Sequence, residues 1–156
     1  MSKLGFLVAV SVVSLGAAVG AWYYKYQLYG WLPSTASSEL KNVDGLLMDK
    51  EGKPFTGRVK DISDSGYSLY AYKDGKPDGL NVVFSEGQLR EIGHWENGEQ
   101  NGLFEAWTDK GVLVDHGIFK DGERDGETVQ YWPDTGKLKV KARYRAGKLN
   151  GLVEQY

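Results

Sequence analysis

The stretch that decides the fold runs from Asp74 to Trp132 and contains three copies of one unit: DGKPDGLNVVF (Asp74–Phe84), NGEQNGLFEAW (Asn97–Trp107) and DGERDGETVQYW (Asp121–Trp132). Each opens with a dipeptide that tolerates positive φ at both central positions of a type I′ turn, so each reverses the chain between two strands. Working outward, Gly52, Gly75, Gly98, Gly122 and Gly147 fall 23, 23, 24 and 25 residues apart. A second glycine follows each of them (Gly57, Gly79, Gly102, Gly126, Gly151), and a third follows in Gly66, Gly87, Gly111 and Gly136. An aromatic stands three residues before four of the first glycines: Tyr72, Trp95, Phe119 and Tyr144. Five residues after the second glycine comes Ile62, Phe84, Trp107, Tyr131 or Tyr156, and two after the third comes Leu89, Leu113 or Leu138. Columns that keep register over several copies define a repeat in which each unit packs on its neighbours.

One repeat supplies two short strands with a turn at each end. The third glycine, in SEGQ, TDKG and PDTG, suits the left-handed position that closes a slightly longer hairpin loop. Leu89 and Trp95 differ by six, as do Leu113 and Phe119, and Leu138 and Tyr144. An even separation on a regular strand puts both on one face. The expectation is therefore an all-β fold: an elongated single-layer antiparallel meander of tandem hairpins, with one apolar ridge along its concave face. On that ridge Phe84, Trp95, Trp107, Phe119, Tyr131 and Tyr144, together with terminal Tyr156, are the candidate partner-binding residues. Gly75, Gly98, Gly122 and Gly147 are expected as structural turn glycines. The last strand, Leu152–Tyr156, would leave a sheet edge open to strand addition.

Before the repeats, Leu4–Tyr24 is 21 residues without a charge, flanked by Lys3 and Lys25. A helix of that length spans about 30 Å, the thickness of a bilayer's hydrocarbon core. Trp22, Tyr23, Tyr24, Tyr26, Tyr29 and Trp31 cluster at its end as an interfacial belt would. The division expected is a transmembrane anchor over 1–25, a juxtamembrane linker over 26–43 and about 4.5 repeats over 44–156. A cleaved signal peptide is the alternative for the first segment. The flanking charges favour an extracytoplasmic repeat domain, and Gly16 with Gly20 offers a route to helix pairing.

The chain has 19 basic and 21 acidic residues and no cysteine. That balance gives no nucleic-acid-binding surface, and the lack of cysteine excludes disulfides, thiolate metal sites and a cysteine nucleophile. His94 and His116 have no metal-ligand spacing. Asp61, Asp64 and Gly66 lack the spacing and distal glutamate of a calcium loop. No nucleophile-elbow or phosphate-loop motif occurs, so the chain is expected to be non-catalytic, without cofactor or metal. The one local basic stripe is Lys137, Lys139, Lys141, Arg143 and Arg145, a candidate for lipid headgroups or a solvated strand face.

The units above, with GKPFTGRV (Gly52–Val59), resemble the MORN-repeat variant family of bacteria, over residues 44–156. The sequence departs from that pattern at Asp61–Gly66, where an aromatic-rich strand is usual, and at its last repeat, which stops at Tyr156 after one strand. The resemblance implies an extended β-meander serving as a scaffold or binding surface for a protein partner. It also implies an alternative, since some members are labelled antitoxin-like and would neutralise a cognate toxin as an immunity protein does.

Overall fold

The computed structural model describes residues 32–156, so the expected anchor over 1–25 lies outside the described residues. Thirteen strands follow one another: β1 (Thr35–Ala36), β2 (Lys41–Val43), β3 (Leu46–Met48), β4 (Gly57–Ser63), β5 (Gly66–Lys73), β6 (Lys76–Pro77), β7 (Gly79–Ser85), β8 (Gln88–Glu96), β9 (Glu99–Trp107), β10 (Leu113–Lys120), β11 (Glu123–Tyr131), β12 (Leu138–Arg145) and β13 (Lys148–Gln155). From β4 onward the strands lie side by side in chain order in one antiparallel sheet, with β6 appended to β5. The fold is the expected all-β meander. Part of the expected linker belongs to it: β1 pairs in parallel with β4 at Val59 and Lys60, and β2 forms a hairpin with β3.

Turn chemistry explains the reversals. Asp74-Gly75, Asn97-Gly98 and Asp121-Gly122 each place both residues at positive φ, the type I′ signature whose twist matches that of the flanking strands. Asp44-Gly45, Glu86-Gly87 and Ala146-Gly147 do the same. Gly87 thus departs from expectation, closing a tight turn and not a longer loop. Gly111 and Gly136 do sit in longer loops, with φ of 75° and 66°. Gly52 is a second departure. Its loop has Asp49 N–H donating to the Lys53 carbonyl and Gly52 N–H to the Asp49 carbonyl, the same bonds that join Thr108, Gly111 and Val112. By geometry Gly52 belongs with the third glycines, although its spacing matched the first.

The largest correction concerns faces. On β8, Glu91 pairs with Val83 but Leu89 with Phe84, so Arg90 is an extra residue, a β-bulge. Val114 on β10 and Lys139 on β12 are extra in the same way. One inserted residue inverts the parity of everything beyond it. Leu89 therefore shares a face with Ile92, and Trp95 lies on the other face with Gly93. The core sits on the first face, where Leu69, Val82, Phe84, Leu89 and Ile92 pack together under Tyr67, Leu80 and Trp107. Ile92 is fully buried. Tyr67 stacks on Phe84 with ring centroids 5.0 Å apart.

Candidate interaction surface

The expected single ridge is two rows. Cross-strand partners share a face, and the pairs Ile92–Glu105, Glu105–His116 and His116–Val129 carry Phe84, Trp107 and Tyr131 along the core face. The pairs Gly93–Phe104, Phe104–Gly117, Gly117–Thr128 and Thr128–Ala142 carry Trp95, Phe119 and Tyr144 along the opposite one. Phe84 is buried, so it serves the core; Trp95, Trp107, Phe119, Tyr131 and Tyr144 are half-buried, and Tyr156 is exposed.

On the second face each aromatic stands directly across from a second-column glycine. The pairs are Gly57–Tyr72, Gly79–Trp95, Gly102–Phe119 and Gly126–Tyr144. The bare glycine has φ between 113° and 153° in these four, and a Cβ at Gly102 would come within 3.1 Å of the His94 side chain. This is the cross-strand pairing by which aromatic residues rescue strand glycines. Phe119 also meets Phe104 edge-on and carries the Arg124 guanidinium 4.9 Å from its centroid. Arg124 in turn donates to both oxygens of Asp115, at 2.7 and 3.2 Å, and to buried Thr128 Oγ1. This is a polar clamp between β10 and β11, with its lone pairs satisfied.

Successive turns are latched to one another. The Gly98 N–H donates to the Pro77 carbonyl, Gly122 N–H to the Gln100 carbonyl and Gly147 N–H to the Arg124 carbonyl, at 2.8–3.0 Å. Beside them Asp78 accepts from Asn97 N–H and Asp125 from Ala146 N–H, as Thr56 Oγ1 does from Asp74 N–H. Sequence reasoning passed over these residues. The signal was present in the column Thr56, Asp78, Asn101, Asp125 and Asn150, which precedes every second glycine. Asn101 uses its amide otherwise, donating to Glu96.

The histidines and two lysines of the basic stripe are engaged in the sheet. His94 Nδ1 lies 3.4 Å from the Leu103 carbonyl oxygen, and His116 Nδ1 hydrogen-bonds Glu105 at 2.9 Å. Lys139 sits over the Trp132 ring at 4.7 Å, and Lys141 pairs with Glu127 at 3.0 Å. Hydrogen bonding to Glu127, and then its charge, raises the Lys141 ammonium above the usual lysine range. A raised lysine adds stability that is fully present below its unfolded-state value and is lost as pH rises through the folded-state one. The Tyr156 phenol donates to Glu154 at 2.8 Å and is likewise raised by that bond. Asp61, of the rejected calcium loop, accepts from the Ser37 hydroxyl.

One edge stands apart. Every residue of β13 is exposed, and Leu149, Leu152, Val153 and Tyr156 are large apolar side chains at 58%, 86%, 42% and 68% exposure. β13 pairs with β12 on one side and with no strand among the described residues on the other. Among the described residues no helix is long and apolar enough to cross a membrane. No protein-family model and no curated protein sequence matches the chain. Fold and surface together define a class: a repeat-built antiparallel meander whose last described strand, β13, is exposed along its whole length.

Proposed function

We propose that this chain is a non-catalytic protein-interaction module, tethered to a membrane through Leu4–Tyr24, with its repeat domain on the extracytoplasmic side. The observation that carries the reading is the edge of β13, where backbone groups that pair with no other strand among the described residues coincide with exposed Leu152 and Val153. Soluble sheets blunt such edges with charge, proline or a covering loop. Here the edge carries Leu149, Leu152 and Val153 beside two charged side chains, Lys148 and Glu154, and its backbone is available for strand addition, a mode in which main-chain bonds give affinity and side-chain pockets give specificity. Exposed apolar area of this kind on a folded domain marks a contact site. The half-buried rings Trp107 and Tyr131 extend that contact along the core face.

The test is affinity capture of the full chain from native membranes, comparing the wild type with Leu152→Lys and with Trp107→Glu. A stoichiometric partner retained by the wild type and lost with Leu152→Lys supports edge recognition. Capture that both substitutions leave intact removes the reading.

A further inference from the structure

Resting on the reading of β13 as a docking edge, we infer that its partner presents an antiparallel strand of defined pattern: Leu, two residues, a basic residue or histidine, Gly or Ala, one residue, an aromatic, one residue, then a two-residue turn ending in glycine. The sheet contains this interface twice already, filled by its own strands. On β9 the acceptors are Gly102, Phe104, Glu105 and Trp107, and β10 answers with Phe119, Gly117, His116 and Leu113. On β11 the acceptors are Gly126, Thr128, Val129 and Tyr131, and β12 answers with Tyr144, Ala142, Lys141 and Leu138.

β13 repeats the acceptor column at Gly151, Val153, Glu154 and Tyr156. Gly151 has the same mirror-extended backbone, with φ of 125°, and no aromatic stands across from it. Glu154 matches Glu105, whose carboxylate holds His116 at 2.9 Å, which selects a cationic or imidazole side chain on the incoming strand. Val153 sits where a small residue faces Phe104 and Thr128. The turn after the strand would find the acceptors that earlier turns use, the Leu149 carbonyl and the Asn150 side chain, equivalent to Pro77 with Asp78 and to Arg124 with Asp125.

A second folded copy cannot supply this strand: the two strands among the described residues that carry the pattern, β10 and β12, each have both edges already paired.

The probe is a ten-residue peptide with the sequence of Leu138–Gly147, LKVKARYRAG, titrated against the full chain and read by titration calorimetry and amide hydrogen exchange. One peptide should bind per chain, with new protection confined to Gly151–Tyr156. Tyr144→Ser in the peptide should weaken binding about tenfold or more, since the ring's cover of Gly151 is lost. Gly151→Val in the protein should abolish it. Where the free peptide binds too weakly to titrate, the same ten residues joined after Tyr156 by a flexible linker raise its effective concentration to about millimolar, and protection is compared with the linked Tyr144→Ser version. Absence of protection in the linked form, or binding indifferent to Tyr144→Ser, overturns the pattern. The capture experiment is independent: edge-dependent capture with a failed peptide removes the pattern alone, and edge-independent capture removes the broader reading.

Discussion

At the scale of single residues, two positions make the physics measurable. Ala146 occupies a left-handed conformation, φ 47°, in a turn where the equivalent residues are Asp74, Asn97 and Asp121. A left-handed alanine costs roughly 1 kcal/mol, a cost that asparagine largely avoids. Ala146→Asn should therefore stabilise the chain by about 0.5–1 kcal/mol in chemical denaturation, without altering the fold. Gly66 is the opposite case: it has no room, because a Cβ there would sit on the Phe84 carbonyl oxygen. Its conserved-looking spacing in the third column came from a steric demand that no turn rule anticipates. At the core, Ile92→Ala removes a fully buried side chain and should cost about 2–5 kcal/mol, toward the lower end if the thin sheet collapses around the gap.

At the scale of elements, the hairpins were legible and the faces were not. Asp-Gly and Asn-Gly turns and the glycine columns locate every strand from β7 to β13, because a two-residue turn admits few alternatives. What the sequence conceals is the bulge at Arg90, Val114 and Lys139. No residue type marks it, and a chain read by parity alone puts Leu89 beside Trp95. The latch carboxylates were hidden for a different reason: an aspartate before a glycine reads as local turn chemistry, whereas Asp78 and Asp125 reach into the following repeat. Substituting Asp125 with alanine should cost about 0.5–1.5 kcal/mol and expose the Ala146 amide to exchange, an effect local to one turn. Arg124→Lys should cost more, because lysine keeps the charge but loses the two-pronged contact with Asp115 and the stack on Phe119.

At the scale of the whole molecule, stability is a sum over neighbouring repeats, and it is unevenly distributed. The core cluster joins β5, β7 and β8, the two best-buried side chains being Ile92 and Val82, while β13 buries none of its residues. Amide exchange should therefore be slowest in β7 and β8 and fastest in β13, with opening free energies falling toward the C-terminal edge. Uniform protection along the sheet would mean a single cooperative unit in place of a graded array. The same gradient bears on function: the least stable strand is the one proposed to receive a partner, so binding there orders the end of the sheet and should slow its exchange most. The candidate surface was legible as a strand, since Leu152, Val153 and Tyr156 follow the Ala146-Gly147 turn. Its register, set by Gly–aromatic pairing across strands, emerged only once the strands were seen side by side.

The most direct measurement is residue-resolved hydrogen exchange of the full chain with and without the partner recovered from native membranes. Edge recognition requires new protection at Gly151–Tyr156, with little change in β7 and β8. Protection confined to the rows of aromatic rings, with β13 exchanging as fast as in the free chain, would contradict it.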